Sequence, residues 1–473
     1  MRQLVSTLEK SIEMHSNHIL PPYLSWLHNA AVGFLLRGEQ VSVLFKPEEF
    51  YTTLLDRCRK ANHRIALASL YLGTGPLEEQ LVRALDGRLT ERGGNLQVSI
   101  LLDAMRSSRG TTNSRTMLLP LLRSHYPHCQ VSLFHTPRLR GLLRFILPAR
   151  YNELVGLQHI KLYLFDNDVI ISGANLSHDY FTNRQDRYIV ISECPSLADF
   201  YFGLVERLSA VSMSLDERNT LTPSTPHLHP YLSTLQSYES EARNSVWGYY
   251  LQAADKSAQT QTQDTGDTWV FPLLGLPPLA VNQDSTVTRR ILESAESGST
   301  IHLATGYFNL TDEYTATILD NSRACFRLLM AHPTANGFLA AHGLAGGIPG
   351  AYTRFAAMFL ERAQQCGRVA MWEYQRPGWT YHAKGLWLTP PGYHRPHFTL
   401  IGSSNFGARS VQRDLENQMA IYTNNGHLQD VLLSEQEHLY KLGTPFSLEV
   451  ATLPERKPAL WVLAFMWFFK SYF

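Results

Sequence analysis

Apolar and polar positions alternate in short runs along this chain, and between the runs apolar residues recur every three to four positions. The first pattern marks strands and the second marks helices. From residue 41 the pattern predicts strands at Val41–Phe45, Arg64–Tyr71, Leu96–Leu102 and Gln130–His135. Helices fall between them at Glu48–Ala61, Leu77–Leu85 and Arg115–Ser124. Strands alternating with helices predict a mixed or largely parallel sheet covered on both faces.

The pattern then repeats. Ser237–Ala253 forms one more element, helix or strand, and a polar stretch rich in Gln, Thr and Asp follows at 255–268. After it, helix Ser285–Glu296 repeats Glu48–Ala61, and Thr300-Ile-His-Leu-Ala-Thr-Gly-Tyr-Phe308 repeats Arg64-Ile-Ala-Leu-Ala-Ser-Leu-Tyr-Leu72. Phe326–Ala331 repeats Val98–Asp103. The chain is therefore predicted to be an α/β duplication, with a period too long for a solenoid. Its parts are an N-terminal segment (1–40), a first half (41–254), a linker (255–268), a second half (269–450) and an apolar tail (451–473).

Each half carries one candidate chemical motif. The first is Gln158-His159-Ile-Lys161, with Asp166 five residues beyond the lysine and Ser172-Gly-Ala-Asn175 after it. The second is Tyr381-His382-Ala-Lys384, followed by Gly402-Ser403-Ser-Asn405. Asp186 lies eleven residues past Asn175, and Glu416 lies eleven past Asn405. Extended backbone turns residues i and i+2 to one side, so each imidazole shares a face with an ammonium. A nucleophile beside a fixed cation suits attack on a phosphodiester, whose non-bridging oxygens need charge balance. One His-x-Lys triplet is a chance event; two with matching tails are not.

Composition narrows the setting. The chain has 473 residues, 44% hydrophobic and 18% charged, enough for two real cores. Forty-two basic residues against 41 acidic argue against wrapping duplex DNA and leave room for a local basic site. Cys58, Cys129, Cys194, Cys325 and Cys366 are scattered without a C-x-x-C pair, as expected of reduced thiols. No uninterrupted apolar run reaches the length of a membrane span.

Three segments nonetheless bear on membranes. The apolar tail from Ala459, with Trp461, Trp467, Phe468, Phe469 and Lys470, fits either an interfacial anchor or a packed terminal helix. Ile19–Leu36, apolar and broken by Pro21 and Pro22, lies either on a membrane or on the domain. In Pro137–Arg150 four arginines interleave with Leu, Phe and Ile, which suits an anionic bilayer surface, a lip over an amphipathic substrate, or a loop with solvated arginines. The first 40 residues mix Arg2 and Lys10 with Glu9 and Glu13, unlike a clean mitochondrial presequence.

The paired His-x-Lys motifs, their Asn tails and the duplicated halves resemble the phospholipase D superfamily. Ala68–Gly75, Leu157–Asp166, Tyr180–Tyr188 and Thr399–Gly407 look like the eukaryotic phosphatidylglycerophosphate synthase family within it. The resemblance implies a phospholipase D-like fold of two α/β/α halves with mixed sheets and one active site between them. It further implies CDP-diacylglycerol and glycerol 3-phosphate as partners, an anionic membrane surface, no nucleic acid, and a matrix-facing peripheral place on the mitochondrial inner membrane. The resemblance also implies that this reaction is the first committed step toward phosphatidylglycerol and cardiolipin.

Carried onto this chain, His159, Lys161, Asp166, His382 and Lys384 are the expected catalytic residues, with Asn175, Asn405 and Ser403 on the substrate phosphate. Asp186 and Glu416 are expected to orient the histidines. His159 is preferred as nucleophile, because its motif is complete, and His382 as general acid and base. The two lysines stand where other enzymes use a metal, so neither metal nor cofactor is expected. One departure from the family pattern is Thr389, which stands where the second motif's aspartate belongs. The same site with another acceptor would make a phosphatidylserine or cardiolipin synthase. Nucleases and tyrosyl-DNA phosphodiesterases share the motif pair, and a non-catalytic lipid-binding scaffold is the remaining alternative.

Overall fold

The computed structural model describes residues 20–260, 266–338, 346–458 and 461–463. Two large mixed sheets organise it. In the first, strands run in the order Leu221–Pro223, Met213–Leu215, Cys129–Phe134, Gln97–Asp103, Arg64–Ala68, Leu162–Phe165, Asp168–Ser172, Tyr188–Ile191, Val41–Leu44. In the second the order is Gly443–Phe446, Val369–Tyr374, Cys325–Ala331, Thr300–Thr305, Lys384–Thr389, Phe398–Gly402, Glu416–Thr423, Thr268–Leu276, Phe34–Leu36.

The shared order is the duplication in three dimensions. Each motif strand (Leu162–Phe165 or Lys384–Thr389) lies antiparallel between the first parallel strand of its half and the strand that follows it in sequence. Within the two large sheets, parallel pairing among the described residues is confined to Arg64–Ala68, Gln97–Asp103 and Cys129–Phe134 and to their counterparts in the second sheet. These are the strands joined by helical crossovers, as parallel pairing requires.

Local chemistry sets the helices. Helix Pro47–Lys60 starts with proline at its first position and Glu48 and Glu49 in its first turn, and ends in Arg57, Arg59 and Lys60. Glu49 accepts the Phe45 and Lys46 amides, so charge and capping agree at both ends. Its counterpart in the second half runs from Gln283 to Ser294. One buried cluster draws Leu162, Val169 and Ile189 from the first sheet and Ala304, Met419 and Ile421 from the second. The two halves thus share a core between their sheets.

Three segments differ from the sequence reading or resolve it. Residues 235–260 form one helix, so the first six residues of the expected linker are helical, and 261–265 lie outside the described residues. Polar composition was the only linker signal, and solvated helix faces share it. Leu20, Leu24 and Leu27 pack with Trp269, Phe271 and Ile291, and Phe34–Leu36 pairs with the strand opening the second half. This part of the N-terminal segment lies on the protein. Residues 1–19, with Arg2, Glu9, Lys10 and Glu13, fall outside the described residues, as does the tail except up to 458 and at 461–463, where Val462 packs on Ala351.

Candidate active site

The two motifs meet where the halves cross. Each enters the head of its strand as extended chain, and its backbone bonds to the other half. His159 N–H donates to the Leu415 carbonyl at 2.8 Å, and Leu415 N–H returns a bond to Leu157 at 2.7 Å. In the mirrored place His382 N–H donates to Gln185 at 2.8 Å, and Thr380 N–H to Asn183 at 3.0 Å. Every motif histidine is thereby laid beside the residues just ahead of the other half's acid.

The side chains complete that exchange. Glu416, from the second half, holds His159 Nδ1 at 3.0 Å with both oxygens; Asp186, from the first, holds His382 Nδ1 at 2.6 Å. A carboxylate on Nδ1–H leaves the Nε2 lone pair for chemistry. Glu416 is itself fixed by Ser403 Oγ at 2.5 Å and Ser410 Oγ at 2.7 Å. Asp186 accepts the Arg187 amide at 2.9 Å and lies against Gly173, where a Cβ would come within 2.9 Å of its carboxylate. The shorter acid faces the glycine, and the longer one faces the serine.

Both lysines are buried and point back along their motifs: Lys161 Nζ donates to the His159 carbonyl at 2.6 Å and Lys384 Nζ to that of His382 at 2.9 Å. Desolvation holds Lys161 well below the ordinary lysine value and lowers Lys384 as well. Burial, and then the nearest ammonium, drives both histidines well below the ordinary imidazole value. Burial also lifts Asp186 to about 6 and Glu416 to about 7. Asn175 and Asn405 each keep a buried carboxamide oxygen with no hydrogen-bond partner among the described residues. A desolvated acceptor left unpaired is costly, and these two amides hold matched places in the two halves.

A second pair of groups breaks the two-fold. Arg184 NH2 pairs with Asp179 at 3.1 Å, and Arg409 Nε pairs with Asp414 at 3.1 Å. The offset that maps Asn175 onto Asn405 and Asp186 onto Glu416 maps Asp179 onto Arg409 and Arg184 onto Asp414. The ion pair recurs with its charges exchanged. Asp414 therefore raises the basicity of His159, whereas Arg184 lowers that of His382. Tyr180 and Tyr307 set their ring edges against His382, and the Tyr180 hydroxyl reaches its Nε2 at 3.5 Å.

Of the expected site residues, His159, Lys161, Asn175, Asp186, His382, Lys384, Asn405 and Glu416 converge. Two do not line the site as expected. Asp166 turns away at positive φ (50°), and its carboxylate accepts the amides of Asn62, His63 and Arg64. It braces a turn at the far end of the motif strand. Thr389 holds the matching strand end, paired with Thr300, without that brace. Ser403, fully buried, spends its hydroxyl on Glu416 instead of facing a phosphate.

Sequence reasoning missed Ser410, Asp179, Asp414 and the brace between the halves. In that brace Arg187 meets Glu435 through two bonds of 2.8 Å and lies 3.7 Å over the Trp387 ring. Laying the two Asn-to-acid segments over one another would have exposed the exchanged charges; nothing local marks Glu435. His159, Asp414 and Glu416 offer ligand atoms within 4.8 Å of one another. These atoms already serve Leu157, Arg409, Ser403 and Ser410, and the two ammonium groups disfavour a cation there.

Comparison with known proteins follows the same lines. No family model matches the chain. It is 44% identical over 476 residues to the mitochondrial CDP-diacylglycerol–glycerol-3-phosphate 3-phosphatidyltransferase of Homo sapiens, covering 95% of this chain and 85% of that protein. A probable enzyme of that name from Dictyostelium discoideum is 36% identical (95% and 80% covered), and the Saccharomyces cerevisiae enzyme is 33% identical (89% and 85% covered). Among solved structures, phosphatidylserine synthase of Haemophilus influenzae Rd KW20 superposes with a TM-score of 0.69 at 18% identity, covering 94% of this chain and 96% of that one. That likeness shows the fold. With relatives this similar over nearly its whole length, the chain belongs to the CDP-diacylglycerol–glycerol-3-phosphate 3-phosphatidyltransferase family.

Proposed function

We propose that the chain makes phosphatidylglycerophosphate and CMP from CDP-diacylglycerol and glycerol 3-phosphate through a phosphatidyl-histidine on His159. The observation that carries the reading is the exchanged acid pairing, which builds one site with two histidines from two half-sites. His159 Nε2 attacks the phosphorus bearing diacylglycerol, forming a P–N bond while the P–O bond to CMP breaks. His382 gives its proton to the departing CMP oxygen, then removes one from the sn-1 hydroxyl of glycerol 3-phosphate as that oxygen displaces His159. Lys161 and Lys384, with the amides of Asn175 and Asn405, hold the non-bridging oxygens as charge builds on them.

The exchanged ion pairs support this division of labour. An imidazole phosphorylated on Nε2 and protonated on Nδ1 is a cation, and His159 has two carboxylates beside it, Glu416 and Asp414. A more basic imidazole is also the better nucleophile. His382 has one carboxylate and the Arg184 cation, which makes its imidazolium the stronger acid. Substrate charge entering between the lysines raises both histidines, so His382 takes up its proton as the diphosphate binds.

We further infer peripheral association with the matrix face of the mitochondrial inner membrane. The relatives named mitochondrial support the compartment, and no helix among the described residues is long and apolar enough to cross a membrane. The test is transfer of labelled glycerol 3-phosphate into lipid in EDTA, wild type beside His159→Ala and His382→Ala. Lipid-soluble label made by wild type and lost in both variants is expected. Turnover only with serine, phosphatidylglycerol or water would refute the acceptor, and activity surviving both variants would refute the mechanism.

A further inference from the structure

We propose that the short helix Gly141–Ile146, with Arg140 and Arg144, inserts into an anionic lipid monolayer and seats the active site on it; this rests on the lipid substrate proposed above. Leu142, Leu143, Phe145 and Ile146 are 73%, 45%, 79% and 66% exposed, and Tyr151 beyond them is 42% exposed. At 100° per residue Phe145, Leu142, Ile146 and Leu143 fall within an arc of roughly 160°, with Arg144 on the opposite side. An exposed apolar face backed by a cation is the pattern of a helix lying in a lipid interface.

Its base is rigid. Leu139 is buried, Arg140 donates to the carbonyls of Ser233 and Tyr231, and Arg138 donates to Pro277 and Gln412. Gly141, at φ +54°, turns the chain outward at that anchor. On the return, Arg109 pairs with Glu153 at 3.0 Å and the Leu157 amide bonds Asp414, two residues before His159. The apolar tip is therefore fixed to the same platform as the nucleophile.

Charge selects the occupant. Arg144 lies over the Tyr231 ring at 3.8 Å, and Arg140 serves carbonyls, so neither cation is neutralised by a carboxylate among the described residues. Alkyl and aromatic tips above this uncompensated positive charge fit acyl chains beneath anionic headgroups. A second copy of this chain fits less well. Four side chains bury far less than the roughly 800 Å² per partner of a stable interface.

The test uses the full chain and three readouts. Co-sedimentation with phosphatidylcholine vesicles containing one-quarter phosphatidylglycerol compares wild type with L142Q/F145S/I146Q and with R144Q. The triple variant is expected to bind about 30-fold more weakly or worse, and R144Q to lose the preference for anionic over pure phosphatidylcholine vesicles. Transfer from vesicle-borne CDP-diacylglycerol should fall with binding, while transfer from a dispersed short-chain analogue should match wild type. In F145W, quenching by lipids brominated on their acyl chains should exceed that of wild type, which tests insertion even where the triple variant folds poorly. Vesicle binding unchanged in the triple variant, or no added quenching in F145W, would overturn the proposal. Wild type inactive on both substrates would sink the enzymatic reading and leave the docking arms to decide this one.

Discussion

The exchanged acids can be tested by substitution at Asp186. Its Oδ1 accepts the Arg187 amide at 2.9 Å, and its Oδ2 faces His382 Nδ1 at 2.6 Å. In D186N the side-chain oxygen stays on the Arg187 amide, and the NH2 group turns to Nδ1. The imidazole must then accept at Nδ1 and carry its proton on Nε2, with no anion to stabilise an imidazolium. Loss of that tautomer and charge is worth about 10³- to 10⁴-fold in turnover. E416Q should do the same to His159.

Which histidine each acid serves shows in the leaving group. A general acid matters little when the leaving oxygen is already a weak base. On a p-nitrophenyl ester of phosphatidic acid, the first-turnover burst of p-nitrophenol from H382A and D186N should recover to within about tenfold of wild type, since only the later transfer to the acceptor still needs the base. H159A and E416Q should stay near background on both substrates, because no P–N bond forms. The rate of the p-nitrophenol burst checks all four. Recovery of D186N failing while E416Q recovers with H382A would refute the exchanged pairing. Recovery of H159A and E416Q in place of the other pair would keep the exchange and reverse the roles.

Further consequences follow from the site and its supports. Lys384→Met should lower kcat by about 10²- to 10³-fold with Tm little changed, since burial penalises the ammonium in the resting protein and, on the proposed mechanism, its main gain comes in the transition state. Glu435→Gln strips the partner from buried Arg187 and should cost about 3 to 5 kcal/mol, read as a lower midpoint in denaturant; an unshifted midpoint would refute the brace. Gly385 has φ +115°, and a Cβ there would overlap the Leu400 carbonyl and approach Arg187, so Gly385→Ala should lower Tm and soluble yield together. Asp186 and Glu416 have folded values above their unfolded ones. Their ionisation therefore opposes folding, and the stability they contribute is present below about pH 4 and lost as pH rises through about 6 to 7.

Much of this was legible in the sequence because the duplication writes it twice. The two His-x-Lys triplets, the Asn residues and the acids sit at matched spacings, and strand pattern placed His159 with Lys161 and His382 with Lys384 on common faces. The exchange of acids was not legible, since spacing along one chain cannot say whether Glu416 serves its own half or the other. Asp166 misled because its place in the motif is fixed by a turn: three backbone amides need an acceptor there, whatever the chemistry. Ser403 misled in the same way, being two residues before Asn405 in sequence yet behind Glu416 in space.

A duplicated site with two-fold symmetry has a difficulty: it asks one arrangement to make a nucleophile and an acid. The exchanged ion pairs answer it, and they can be measured. Asp414 lies within 4.8 Å of His159, where a full charge at an effective dielectric constant of about 20 is worth roughly 3.5 kcal/mol. Arg409, 3.1 Å from Asp414, cancels most of that. A remainder near one-third is about one pH unit. On the proposed mechanism His159 must be neutral to attack, so D414N should move the acid limb of kcat/KM about one unit lower while slowing attack. His382 must be protonated to donate, so R184M should move the basic limb higher. A full pH profile of each variant, with the activated ester beside CDP-diacylglycerol, separates the limbs. Were both variants to shift the same limb, the two histidines would not be divided by these charges, and the asymmetry would have to come from the substrate alone.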